Sequence, residues 1–417
     1  MRIGKKIIGA DRADWTDRAD RADWTDRAYG AYGLLIGLIG LMGLLGLMGC
    51  SKDEASSKEP MGSTELEVAS YVRWFEEADG ANGANRTNKA NGTNRAWAIP
   101  SGYVAYEDGV QPIGIAFTQN NQKPKIGYFF KSSGKWRTSL DDIAGSATYH
   151  LYGYIPNMAG INYSITDYDG AIGAYSEGAI MTLKNVPTVM PNDLCVVIGA
   201  KEGYDREHDG NIDGTNRLRM GDFSFTTSAE TTGNFVFLLF DHLYAALRIR
   251  MKVYEDYNNL RTIKLKSLQL STQADGETTK QRTTITVKLK KTNGSISPID
   301  DDIEYAQTGS AIDGGQEFWS STAGEELGTA FTEHIGHFMP NGITRLSLTS
   351  VYDVYDKKEN LIRKDCKATN HMLLSELFSG QTYTERGKRY TVNITIQPTY
   401  LYMLSEPDLD NPTVVVN

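Results

Sequence analysis

Apolar and polar residues alternate one by one along much of this chain, and that period of two constrains the backbone more than any other feature. Leu247, Ile249, Met251 and Val253 are interleaved with Arg248, Arg250 and Lys252. Ile285, Val287 and Leu289 alternate with Thr286, Lys288 and Lys290, and Tyr390, Val392, Ile394 and Ile396 do the same before Pro398. Such spacing puts the apolar side chains on one face of a strand and cannot form the stripe of a helix. Ile126, Tyr128 and Phe130 share a face, as do Tyr149, Leu151 and Ile155, and Leu194, Val196 and Ile198 follow. In RTIKLKSLQLST the phase slips between Ile263/Leu265 and Leu268/Leu270, which predicts a β-bulge. Leu346, Leu348, Tyr352 and Val354 lead into a turn over residues 356–360 and a returning strand. Phe235 to Phe240 is apolar without a break.

Helical patterns are short and few: DHLYAAL (241–247) and ATNHMLLSELF (368–378). The gaps between strands hold Gly, Asn, Asp and Pro and are too short for crossover helices. An all-β chain of antiparallel sandwiches is therefore expected rather than a parallel α/β sheet. At 417 residues the chain is long for one core. The reading is two tandem β-sandwich domains, 96–255 and 256–417. The abundance of Tyr (23) and Gly (41) agrees with β-structure and turns.

The first 95 residues differ. Two identical copies of ADRADWTDR occupy 10–18 and 19–27, and LLIGLIGLMGLLGLMG follows at 34–49. Sixteen apolar residues are short for a membrane span, which needs about 20, but suit the core of a secretory signal, so 1–49 is read as a signal peptide. Leu47-Met48-Gly49-Cys50 resembles the lipobox of bacterial lipoproteins. That resemblance implies cleavage between Gly49 and Cys50 and lipid, palmitate included, on Cys50. Ser51, Lys52, Asp53 and Glu54 resemble the lysine-and-acid signal that sends Bacteroidota lipoproteins to the outer face of the outer membrane. Residues 50–64 are a tether rich in Ser, Lys, Glu and Pro. ELEVASYVRWFEEA (65–78) is ambiguous: Thr64 and Glu67 form a helical capping box, while Leu66, Val68, Val72 and Trp74 fall on one strand face. GANGANRTNKANGTNRA (80–96) has almost no apolar content and reads as a protease-accessible loop carrying Arg86 and Arg95.

Chemistry-bearing motifs are scarce. The net charge of −9, with no compensating basic block, argues against a nucleic-acid partner. Asp205-Arg206-Glu207-His208-Asp209-Gly210 resembles a calcium loop, but its twelfth position is Asn216 rather than Glu. Glu333-His334-Ile335-Gly336-His337 is not a zinc-protease motif, and it reads as a structural loop. Cys195 and Cys366 read as buried thiols in different domains, with no His arrangement that suggests a nucleophile. No GxSxG, P-loop or dinucleotide fingerprint is present. The expectation is a binding or assembling protein: no enzyme, no cofactor, no metal.

Four stretches resemble the fimbrillins of Bacteroidales, the type V pilins: PSGYVAYEDGVQPIGIAFT (100–118), YHLYGYIPNMAG (149–160), FVFLLFDHLYAALRIRMKV (235–253) and GKRYTVNITIQPTYLYMLSEPDLDNPTVVV (387–416). The resemblance implies two sandwiches of transthyretin-like topology and export as a surface lipoprotein. It implies cleavage after an Arg by an Arg-specific surface protease, and assembly by strand exchange with other fimbrial subunits. ELEVASYVRW would be the removable strand. Arg95 would be the cleaved residue, with Arg86 and Arg73 as alternatives. Thr413, Val414, Val415 and Val416 would form the donor strand. A tip adhesin or glycan-binding surface lipoprotein, with a host or bacterial receptor, is the alternative, as is a permanently lipidated anchor.

Overall fold

The computed structural model describes residues 66–78, 102–106, 111–133, 135–140, 142–204, 221–227, 234–291, 302–378 and 380–397. The chain is nearly all β there. Two short helices, α1 (Glu255–Leu260) and α2 (Leu374–Leu377), connect strands. No helix among the described residues is long and apolar enough to cross a membrane.

The described strands, numbered in chain order, form four sheets. The largest has the order β3 (Tyr103–Ala105), β1 (Leu66–Arg73), β13 (Asn234–His242), β11 (Cys195–Tyr204), β7 (Thr148–Ile155), β4 (Ile113–Thr118), β5 (Lys125–Ser132) and β6 (Lys135–Thr138), with β12 (Ser224–Thr226) also on β7. A four-stranded sheet runs β18 (Ile303–Ala311), β17 (Lys280–Lys290), β9 (Gly178–Pro187) and β8 (Asn162–Asp167). A third runs β10 (Val189–Met190), β20 (Thr332–Phe338), β14 (Ala245–Val253), β23 (Lys388–Ile396) and β2 (Glu76–Glu77). The fourth runs β16 (Glu277–Thr278), β15 (Thr262–Ala274), β21 (Ile343–Tyr355) and β22 (Leu361–Leu373), with β19 (Gln316–Leu327) on the other side of β15.

Two hydrophobic cores follow from these sheets. The first joins side chains of the large sheet, such as Phe117, Tyr152, Val196 and Phe237, to Met181, Leu183, Ile285 and Val287 of the four-stranded sheet. The second joins Leu247, Ile249, Phe338 and Tyr390 to Ile263, Leu265, Leu346 and Leu348. The chain passes between them more than once. After β14 and β15 have entered the second core, β17 and β18 return to the first, where β17 pairs with β9.

Among the described residues most pairings are antiparallel, but three are parallel: β1 on β13, β14 on β23, and β2 on β23. All three involve a strand from near one end of the described chain, which arrives from far away in sequence. The forecast bulge is present in β15, where the register to β21 shifts between Leu265 and Ser267. The turn at 356–360 is present too, with Asp356 Oδ1 accepting the backbone N–H groups of Lys358 and Asn360.

Several expectations are corrected. Residues 241–247 are not helical: β13 runs through His242, a bend holds Leu243 and Tyr244, and β14 begins at Ala245. All seven are buried at 1% exposure or less, so the segment has no polar face for a surface helix. Its backbone groups find partners in neighbouring strands instead. In 368–378, β22 continues through Leu373, paired with β21, and only Leu374–Leu377 is helical. In β5 the alternation is present but its apolar face is the open one. Ile126 and Tyr128 are exposed while Phe129, between Tyr128 and Phe130, is buried. The expected loop at 333–337 is strand β20. Gly336 permits it, because a Cβ there would sit 2.7 Å from Phe318 Cδ2 in the second core. Gly336→Ala is therefore expected to overpack that core and lower stability by about 1–3 kcal/mol, read as a lower urea midpoint at unchanged m-value.

Candidate functional site

A cluster of buried charged groups lies where the chain segment 66–78 passes from the first core to the second. β1 is inserted between β13 and β3, with Leu66 opposite Asn234 and Val72 opposite Phe240. Val68, Ala69, Tyr71 and Val72 pack on the first core. The ambiguous segment is thus a strand over residues 66–73: its apolar residues find β13, whose Phe235 to Phe240 are all buried. Three residues later the same segment adds β2 to the edge of β23. Glu77 accepts a hydrogen bond from Arg389 Nε at 2.8 Å and lies 3.6 Å from Arg248. Burial opposes the charge on Glu77, but Arg389, Arg248 and the Thr391 hydroxyl outweigh it and hold its pKa below the ordinary value.

Between β1 and β2 stands Phe75, whose ring stacks on His242 with centroids 3.8 Å apart. His242 ends β13 and pairs across the ladder with Cys195, which begins β11. Its Nδ1 and Asp193 Oδ2 are 2.6 Å apart, and Cys195 Sγ donates to the same carboxylate oxygen at 2.9 Å. Sγ and Nδ1 are 3.6 Å apart. One carboxylate oxygen therefore takes two donors, while Asp193 Oδ1 takes none and His242 Nε2 has no well-formed hydrogen bond. Beside this cluster, Asp241 Oδ2 accepts from Arg386 at 3.0 Å, and Arg73 approaches it at 3.9 Å. His337 Nδ1 donates to the Pro191 carbonyl, 2.9 Å away.

Burial disfavours the imidazolium of His242, but the charge and hydrogen bond of Asp193, with Asp241 and the backbone of Arg73, overcome it and raise its pKa. Burial likewise pushes Asp193 up, and His242 more than compensates, leaving the carboxyl below its usual range. With His242 protonated the two form an ion pair inside the protein, where losing one partner costs about 3–5 kcal/mol because the other charge is stranded. Burial and the neighbouring carboxylates push the Cys195 thiol well up, so it stays protonated.

A Cys, a His and an Asp together suggest a nucleophile, which the sequence did not. The geometry is different. A catalytic triad uses both imidazole nitrogens, one toward the nucleophile and one toward the carboxylate. Here Nδ1 faces both partners, and the thiol is buried with a raised pKa where a reactive cysteine needs a lowered one. The donor set Asp193–Cys195–His242 is also the one group of metal-ligating side chains of this kind among the described residues.

Of the processing residues read from the sequence, Arg73 lies at the end of β1, half-buried and paired with Glu76 at 3.0 Å. Cys50 with Gly49, Ser51 to Glu54, Arg86, Arg95, the 205–216 loop and Thr413 to Val416 lie outside the described residues. His334 and His337 are three apart on a strand and face different surroundings: His334 lies against Trp319 and 3.2 Å from Glu325, while His337 turns to Pro191. Cys195 is buried as expected, but Cys366 is half-exposed on β22, and both are free. The 193–242 cluster escaped sequence reading because His242 lies 47 residues from Cys195 and 49 from Asp193. The available signal was an acid just ahead of a Cys or His at the border of a wholly apolar run, in DLCVVIG and LLFDHL.

No family model and no curated protein sequence matches the chain. Among solved structures it is similar to a candidate cell adhesion protein from Bacteroides uniformis, at 12% identity over 79% of this chain and 93% of that one, TM-score 0.30. A candidate cell adhesion protein from Bacteroides fragilis aligns at 12% identity over 80% and 94%, TM-score 0.31. The fimbrial anchor protein from Porphyromonas gingivalis aligns at 8% identity over 79% and 90%, TM-score 0.21. Scores of this size do not define a common fold, so the class that stands is the one the chain's own geometry defines: an all-β protein of two cores joined by an N-terminal strap.

The ion pair has a pH signature. The pKa of His242 is raised above 6.5, so its stabilisation is complete below that value and is lost as pH climbs through the raised pKa. The pKa of Asp193 is held below 3.8, so its contribution is complete above that value and is lost only in stronger acid. The Tm advantage of the wild type over His242→Gln is expected to shrink steadily as pH rises above 6.5, measured by thermal melts across the neutral and alkaline range.

Proposed function

We propose that the chain is a structural subunit of a cell-surface fimbria, exported as a lipoprotein through Cys50. In this reading it assembles by strand exchange with other subunits after an Arg-specific protease removes its N-terminal segment. The observation that supports this best is the placement of β1. It lies parallel to β13 beside the most apolar strand of the molecule, and its side chains cover the first core. Taken out, it would leave β13 with an unpaired ladder edge beside exposed core, and only another strand could satisfy both. The C-terminal Thr413 to Val416, short and β-branched, is the proposed donor.

The pairings also bear on where cleavage would fall. The Trp74 N–H is held by the Gly102 carbonyl, and Arg73 is paired opposite Tyr103. Cutting after Arg73 would need β1 to leave both neighbours first. The proposal therefore places cleavage after Arg95, with Arg86 as the alternative. A second reading, a permanently lipidated anchor, is favoured by the interior position of β1, which is paired on both sides rather than at an edge. The candidate adhesion proteins and the fimbrial anchor named above agree in kind with both readings without adding weight to either.

Trypsin treatment of the purified precursor is expected to remove roughly residues 50–95, leave a resistant core and yield SDS-resistant multimers. A core that stays monomeric after clean cleavage counts against the pilin reading. Mass spectrometry of the protein's N-terminus on cells separates the two readings. Ala96 is expected for an assembled subunit, whereas an acylated Cys50 is the mark of the anchor.

A further inference from the structure

We propose that Asp193, Cys195 and His242 form a binding site for one borderline transition-metal cation of the zinc class. The first argument is convergence. Asp193 Oδ2, Cys195 Sγ and His242 Nδ1 point at one another, with separations of 2.6, 2.9 and 3.6 Å. A tetrahedral ion at about 2.3 Å from sulfur and about 2.0 Å from nitrogen sets its S and N ligands on the order of 3.5 Å apart. The Sγ–Nδ1 spacing already has that value, so only the carboxylate has to swing back to admit an ion.

The second argument is the unused valence at the site. Asp193 Oδ1 is buried and accepts no hydrogen bond. An orphaned oxygen on a deeply placed carboxylate is a cost unless something engages it, and it supplies a further lone pair to the same centre. The third is rigidity. Cys195 and His242 face each other across the β11–β13 ladder, with Asp193 two residues ahead on the same chain. Phe75 holds the plane of the imidazole, so two of the donors are fixed before any ion arrives.

The chemistry of the donors selects the class. A thiolate and an imidazole with one carboxylate favour Zn²⁺ or Co²⁺ over Mg²⁺ and Ca²⁺, which prefer all-oxygen shells. The Asp193 side chain keeps 17% exposure while that of His242 keeps 1%, so an ion would enter past the carboxylate. Loading displaces the Sγ proton and the proton held between Nδ1 and Oδ2, and both go to solvent.

The full-length chain with Cys50→Ser and Cys366→Ser keeps Cys195 as its sole thiol, without touching the buried site. Titrated with cobalt(II), this variant is expected to bind one equivalent and to develop near-ultraviolet thiolate-to-cobalt charge-transfer absorption, which zinc(II) bleaches. Zinc(II) should raise its Tm and magnesium(II) should not. Adding His242→Gln to that background should weaken cobalt uptake by more than about tenfold. A folded sole-thiol variant, shown by a cooperative melt, that binds no cobalt(II) overturns the proposal. Cobalt bound without the charge-transfer band overturns it equally.

Discussion

The parallel pairing of Leu66–Val72 with Asn234–Phe240 is the contact on which the arrangement around both cores depends. It closes the ladder of the most apolar strand and gives β3 its neighbour in the large sheet. It also delivers Phe75 and Glu77 to the start of the second core. A segment of thirteen residues thereby touches both cores through different chemistry: apolar packing and a full ladder on the first, a two-residue ladder and an arginine-held carboxylate on the second. Each attachment alone is modest. The segment is ordered once, so the entropy of fixing it is shared between them.

Charge at the crossing follows from the same constraint. β13 is buried from Phe235 to its last two residues, Asp241 and His242, each of which keeps only 1% exposure. Buried charges are tolerated only when paired, and each has its partner from another element: Arg386 from the loop before β23, and Asp193 from ahead of β11. Phe75 then covers the imidazole face. The cluster is therefore sensitive to the strap, and the strap to the cluster. Withdrawal of β1 and Phe75 would leave an ion pair facing water on one side. This gives a physical link between the N-terminal segment and the interior that does not depend on which functional reading holds.

Much of the fold was legible because strand period is a local property. Leu247 to Val253 and Ile285 to Leu289 face their cores as the alternation requires, and the slip at Leu265 and Ser267 is a bulge. Legibility failed where burial was complete. Residues 241–247 carry an i, i+4 pattern but no polar face, so period could not separate helix from strand, and the neighbours β20 and β23 decided it. In β5 the alternation was visible but not its sense, since Ile126, Tyr128 and Phe130 are as apolar as Phe129. At 333–337, Gly336 looked like a loop signal. Its role is to admit Phe318, a contact that no reading of five residues contains.

The sequence by itself determined that the described part of the chain is nearly all β, that its alternating segments become strands, and where one turn and one bulge fall. Those features depend on side chains within a few residues of one another. Tertiary structure decided the partners: β1 parallel to β13, β17 back on the first core, and Cys195 across from His242 beneath Phe75. The reason is that hydrogen-bonding edges of strands are chemically alike. Which edge meets which is settled by burial of faces brought together from distant parts of the chain, and with that choice come the buried charges and the cluster of donors between the cores.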